Sequence, residues 1–196
     1  MKTVTRLRSA GREAVAVELD GRPWRTVPLE AAVRAGLATG VELDRGRAKE
    51  LARELRRLRA LRVAGMALSR RDRSVFELRD RLRAGKIPPR EREQALATLF
   101  SAGVVDDRRF ALGRAQALAA RGSGDALIRA DLEARGIASE NLAAALEALE
   151  PETERAAAIV SRRGPGLKTA RYLGARGFGD DAVRAAVAWE DLEPVD

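Results

Sequence analysis

Seven arginines carry most of the chemistry this chain offers. Arg70, Arg71 and Arg73 precede a helix start at Ser74, and Arg79 and Arg83 follow four residues apart on one face of that helix. Arg129 falls on the position of Arg79 in a second copy of the pattern, and Arg121 precedes the corresponding break. A guanidinium presents a planar fork of donors, so arginines at helix starts and along one helix face suit phosphate or carboxylate groups. The competing reading is local pairing with Glu77, Asp80 and neighbouring acids. The chain has no Cys and no His. That removes disulfides, thiolate and imidazole metal sites, Cys and His nucleophiles and His general bases. A carboxylate-only magnesium site is the one metal option left. Asp106-Asp107 has no third acid ligand nearby, however, and reads as two helix-capping carboxylates. Gly164-Pro165-Gly166-Leu167-Lys168-Thr169 has a superficial likeness to a phosphate loop, but it lacks the spacing and no buried strand precedes it. Aromatic residues make up only 4% of the chain, so a base-stacking platform for single strands is not evident. No catalytic cluster is visible, and neither cofactor nor metal is expected.

The net charge of +8 is unevenly spread. Residues 1–63 carry +7 and residues 64–105 carry +4, whereas residues 106–149 carry −1 and residues 150–196 carry −2. Between Arg45 and Arg92, 17 basic side chains face 6 acidic ones. This polarity points to a polyanion or an acidic protein surface meeting the N-terminal half. The plainer alternative is a solvated helix surface in an Arg-rich proteome, since Arg outnumbers Lys by 33 to 4.

The elements that position these residues recur. Shifted by 50 residues, Leu78 falls on Ile128, Leu82 on Leu132, Ala84 on Ala134 and Ile87 on Ile137. Shifted by a further 41, Leu132 falls on Leu173, Arg135 on Arg176, Gly136 on Gly177 and Ile137 on Phe178. A period of this size marks a modular array whose members bury apolar faces against their neighbours. The spacing predicts three tandem three-helix repeats, at 44–105, 106–150 and 151–196, forming an elongated array. Asp44 is the expected N-cap of the first helix, whose apolar stripe is Leu51, Leu55, Leu58 and Leu61 and which runs to about Ser69. Ser74-Val75-Phe76-Glu77 is a capping box, and Pro88-Pro89 opens the next helix, which Gly103 closes. The second repeat starts at Asp106-Asp107 and breaks at Gly122-Ser123-Gly124 and at Gly136. Ser139 is the expected cap of its last helix, with stripe Leu142, Leu146, Leu149. The third starts at Pro151, breaks at Gly164-Pro165-Gly166 and at Gly177, and ends near Trp189.

Residues 1–43 read differently. Val4, Leu7, Val15, Val17, Leu19, Trp24 and Val27 alternate with polar residues, as half-buried strands do. Asp20-Gly21 is a hairpin signal, and Pro23 argues for an edge strand. A small antiparallel sheet of two or three strands is expected, covered by a short helix at Leu29–Ala35 that Gly36 closes. No apolar run approaches the roughly 20 residues of a membrane span, and the N-terminus has no apolar signal core. A cytoplasmic location is expected.

These residues resemble the RecX family, bacterial regulators of the RecA recombinase. Ala67 to Leu78, followed by Leu82, resembles the family's first repeat. Asp106-Asp107-Arg108-Arg109-Phe110-Ala111 resembles its DDxxFA element, and Gly122-x-Gly124, Ile128, Leu132 and Gly136-Ile137 resemble its GxGxxxIxxxLxxxGI element. The resemblance covers about Ala67 to Trp189. It implies a nonenzymatic protein that lies along the groove of a RecA–DNA filament and inhibits strand exchange and ATP hydrolysis, in recombination, DNA repair and the SOS response. On this reading Ser74, Glu77, Leu78, Leu82, Asp106, Asp107, Phe110, Ala111, Gly124, Ile128, Leu132 and Gly136 are motif residues with structural roles. Direct contact with single- or double-stranded DNA is a further expectation, and a monomer is expected because the array supplies its own neighbours. The alternative is a stand-alone DNA-binding module of helix-turn-helix-like units.

Overall fold

The computed structural model describes residues 2–187. Met1 and residues 188–196, with the expected end of the third repeat near Trp189, lie outside the described residues. The fold is mainly helical with a small N-terminal antiparallel sheet. It divides into two compact units, residues 1–71 with 78–102, and residues 72–77 with 103–196.

In the first unit, β1 (Lys2–Ser9), β2 (Ala14–Leu19), β3 (Arg22–Pro28) and β4 (Glu42–Leu43) form a sheet in the order β3-β2-β1-β4. The sheet therefore has four strands, where the alternation suggests two or three. β4 spans two residues, too few to show a period. Asp20 (φ 50°) and Gly21 (φ 76°) both take the left-handed conformation of a tight hairpin turn. The Asp20 carboxylate also accepts the Thr3 N–H at 2.8 Å. Pro23 lies on β3, an edge strand. Val4, Val15, Val17, Leu19 and Val27 bury one face of the sheet against Ala31, Ala32, Ala35, Leu37 and Leu51. The cover is thus shared by α1 (Leu29–Arg34) and the start of α2 (Arg45–Leu68). Arg57 pairs with Glu54 at 2.8 Å and also with Glu30, fastening α1 to α2.

Asp44 caps α2 by accepting the Arg47 N–H at 2.8 Å. The chain continues through α3 (Val75–Ala84) and α4 (Pro89–Ser101), with α2 packed on α4. The second unit holds α5 (Asp107–Ala120), α6 (Asp125–Ala134), α7 (Ser139–Glu147), α8 (Glu152–Arg163), α9 (Leu167–Ala175) and α10 (Asp180–Val187). Ala111, Ala115, Ile128, Leu132, Ile137, Leu142 and Ala145 form one core, with Phe110, Leu146 and Leu149 packed against it. Ala156, Ile159, Val160, Leu173, Phe178, Ala182 and Val187 form another. Ser139 does not cap α7 as its sequence suggests. It is the first helical residue, and the N-cap is Ala138, with no side-chain bond.

The motif Leu-x-x-x-Gly-Ile has a physical basis in how helices end. Leaving α3, α6 and α9, the chain passes through a left-handed residue, Lys86 (φ 55°), Gly136 (φ 68°) and Gly177 (φ 80°). The next residue donates its N–H back five positions, Ile87 to Leu82, Ile137 to Leu132 and Phe178 to Leu173, each at 3.1 Å. This is the Schellman ending, in which orphan helix carbonyls are satisfied and an apolar contact closes the turn. Both partners of every such contact are buried. Lys86 bears the steric cost of a left-handed Cβ that the glycines avoid. Lys86→Gly should raise stability by about 0.5–1 kcal/mol, the removed strain exceeding the added chain entropy, as read from the urea midpoint.

Candidate functional site

The seven candidate arginines divide between the two units. In the first, Arg70 and Arg71 are exposed just beyond the α2 C-cap at Ser69. Arg79 sets its fork on Glu93, with both N–H···O distances 3.1 Å, and Arg83 pairs with Asp80 at 3.1 Å. Local pairing therefore accounts for the chemistry of these two, although the partner of Arg79 lies on α4. In the second unit, Arg73 is half-buried before α3, while Arg121 and Arg129 are exposed on α5's end and on α6.

The motif residues of the second unit build two joints of the same design. In one, the start of α3 seats on the turn that ends α6. The buried Ser74 hydroxyl donates to the Arg135 carbonyl at 2.7 Å and accepts the Glu77 N–H at 3.1 Å. Asp107 accepts the Val75 N–H at 2.8 Å, while Asp106 caps α5 by accepting the Arg109 N–H. The acid pair is thus split, since Asp107 serves α3 rather than its own helix. Arg135 reaches Glu77 at 2.5 Å and Asp131 at 2.8 Å, and Arg114 forks onto Asp131 at 2.8 and 2.9 Å. The bonds from Arg114, and then Arg135, hold the Asp131 carboxyl far below the usual carboxylate range despite partial burial. A Cβ on Gly136 would stand 2.6 Å from Phe76 Cβ and Cγ.

In the other joint, the start of α6 seats on the turn that ends α9. Gly124 N–H donates to Arg176 O at 2.8 Å, and Ala126 N–H to Gly177 O at 3.1 Å. Glu152 accepts the Asp125 N–H at 2.6 Å, in the place Asp107 holds in the first joint. Arg176 donates to Gly122 O at 3.0 Å and Arg121 O at 2.6 Å; Arg155 donates to Ser123 O at 2.9 Å and pairs with Asp125. A Cβ on Gly124 would collide with the Gly177 carbonyl. Gly124 is therefore needed for approach of one backbone to another, with no demand on its φ.

Sequence reasoning missed Arg114, Arg135, Arg155 and Arg176 as the cations of these joints. The signal was present for two of them, because Arg135 and Arg176 align under the second shift. Among the described residues, no group of three or more His, Cys, Asp or Glu could hold a metal ion.

The fold and these surfaces define a mainly helical protein whose chemistry lies in charged faces and helix-to-turn joints. Its relatives say which. The chain is 38% identical over 135 residues to the regulatory protein RecX of Chromohalobacter salexigens, which covers 63% of this chain and 89% of that protein. It is 38% identical over 136 residues to RecX of Xanthomonas citri, covering 64% and 83%. The chain belongs to the RecX family of regulatory proteins. A crystal structure of a regulatory protein RecX superposes with a TM-score of 0.81 over 95% of this chain and 98% of that one, at 19% identity. RecX from Lactobacillus salivarius superposes with a TM-score of 0.61 over 70% of this chain and 98% of that one, at 18% identity. At these identities the two structures show the shared fold. No protein-family model matches the chain.

The joints make two predictions. Gly103 and Gly136 share a left-handed φ near 65°, but only Gly136 has a neighbour in the way of a Cβ. Gly103→Ala should cost about 1 kcal/mol and Gly136→Ala a further 1–3 kcal/mol in urea unfolding. For Asp131, the folded pKa is depressed, so its contribution is complete above pH ~4 and is lost as pH falls below that. Asp131→Asn should lose about 1–3 kcal/mol at pH 7. Its deficit against the parent should narrow as unfolding is repeated from pH ~4 down to ~2.

Proposed function

We propose that this protein binds the RecA filament on DNA and slows its ATP hydrolysis and strand exchange. The observation that carries the reading is the repeated joint. The same helix-start-to-turn contact, with an acid from the helix two further along the chain capping it, occurs at Ser74–Arg135 and again at Gly124–Arg176. Contacts of this kind suit residues 44–105, 106–150 and 151–196 to act as tandem three-helix repeats behind the small domain at 1–43. Such repeats present a long surface to an extended partner rather than a pocket to a small one. Family membership supports a regulatory role, and the resemblance names RecA as what is regulated.

A protein that bridges successive filament protomers biases the filament only if it binds the slow state better than the active one. The arginines ahead of α3, Arg70, Arg71 and Arg73, are the proposed contacts from the first repeat. Arg79 and Arg83 contribute only by exchanging their present acids for the partner's. No cofactor takes part, the working form is a monomer, and the setting is the cytoplasm during recombinational repair and the SOS response.

The test is ATP hydrolysis by RecA filaments preformed on single-stranded DNA, with the protein titrated in well below the RecA concentration. Hydrolysis should fall at ratios too low to sequester the DNA. Arg70→Ala/Arg71→Ala/Arg73→Ala should weaken the effect at least about tenfold, the scale of removing one or two charged interactions, with the helical circular-dichroism signal unchanged. Inhibition only at DNA-saturating amounts would reject the reading in favour of a stand-alone DNA-binding module.

A further inference from the structure

Among the described residues, cations without a carboxylate partner gather where α8 turns into α9. Residues 161–176 hold Arg162, Arg163, Lys168, Arg171 and Arg176 and no Asp or Glu, inside a segment (150–196) whose net charge is −2. Arg176 is spent on the joint with Gly122 and Arg121. The other four are exposed, and among the described residues none of them has a carboxylate partner. Arg79, Arg83 and Arg114 each have one.

The cations are also held in place. Arg163 lies over the Tyr172 ring at 4.0 Å, and Arg162 donates to the Ala158 carbonyl at 3.1 Å. The Tyr172 hydroxyl is 4.0 Å from where a Cβ of Gly122 would stand, which brings the exposed Arg121 to the border of the same surface. The acids of α8 and α10 are at the far end. Glu152 accepts the Gly179 N–H, so the two helix starts lie together with Glu154, Asp180 and Asp181. Along α8 the rise is about 12 Å from Glu154 to Arg162 and about 16 Å from Glu152 to Arg163, beyond the screening length of ~8 Å at physiological salt.

We infer that Arg121, Arg162, Arg163, Lys168 and Arg171 form a docking surface for the phosphate backbone of a DNA duplex. Guanidinium and ammonium groups with no acid partner among the described residues match a repeating anion. Among the described residues the one ring on this face, Tyr172, is half-buried and already stacked by Arg163. Among the described residues a single strand therefore finds no open aromatic face for its bases, whereas a duplex presents phosphates at fixed spacing to a surface fixed on two helices. Docking of this kind is independent of base sequence.

The experiment is fluorescence anisotropy of a labelled duplex with the full chain, over a range of salt and with no recombinase present. Arg162→Ala/Arg163→Ala/Lys168→Ala/Arg171→Ala should reduce the slope of log affinity against log salt by about 2–4, at roughly 0.9 for each phosphate that is no longer neutralised. Affinity at low salt should fall at least about tenfold, with the helical circular-dichroism signal kept. Arg162→Lys/Arg163→Lys should retain most of the binding. An unchanged slope in the fourfold variant, absence of duplex binding by the parent, or tighter binding of a single strand of equal length overturns the proposal. Because RecA is absent, duplex binding that persists while filament ATPase is unaffected would defeat only the filament reading.

Discussion

The second compact unit is organised by one constraint: the unsatisfied donors at the start of one helix must meet the unsatisfied acceptors at the end of another. Every helix leaves N–H groups orphaned at its start and carbonyls orphaned at its end. At the start of α6, Gly124 and Ala126 hand their N–H groups to the carbonyls of Arg176 and Gly177. Each end thus supplies what the other lacks, with no side chain in between. The arrangement requires backbones to approach more closely than any Cβ permits, which is why Gly124 stands there. At the start of α3 the Ser74 hydroxyl does the same work in both directions at once, donating to Arg135 and accepting from Glu77. The ion pairs of Arg135 and Arg155 surround these contacts and depend on them, because a misplaced helix start would carry Glu77 or Asp125 away from its partner.

Much of this was legible in the sequence, for identifiable reasons. Glycines at Gly136 and Gly177 and the Leu five residues before each Ile or Phe encode a helix ending that depends on local geometry alone, so pattern suffices. Asp20-Gly21, Pro23, Asp44 and Pro88-Pro89 are local in the same sense. What the sequence hid was non-local. Asp107 looks like a cap of α5 and instead serves α3, because Asp106 already fills the nearer role. Ser139 looks like a cap and is not one, since the chain enters the helix a residue earlier at Ala138. β4 is too short to carry a signal and exists because β1 offers it an edge.

The charge tells a related story. The run from Arg45 to Arg92 is the most basic part of the chain, yet Arg53, Arg56, Arg57, Arg79 and Arg83 each face a carboxylate. Glu91, nearly buried, keeps a lowered pKa against its own burial cost because Arg56 bonds to it. Net charge counts cations without regard to occupation. Among the described residues of the C-terminal segment, by contrast, Arg162, Arg163, Lys168 and Arg171 gather toward the end of α8 while Glu152, Glu154, Asp180 and Asp181 lie by its start, and a sum over the segment erases that separation.

Lys86 sets the ending of α3 apart from those of α6 and α9. The positions after α6 and α9 are glycine because another helix start rests there; the position after α3 carries a side chain, so a further helix start meets a Cβ where the seated ones meet only hydrogen. At the end of α3 the orphan carbonyl is met by a side chain instead, Arg59 of α2 donating to the Gly85 oxygen at 3.2 Å, so the ending that keeps a lysine, at some cost to its own helix, is the one served by a flexible guanidinium rather than by another backbone.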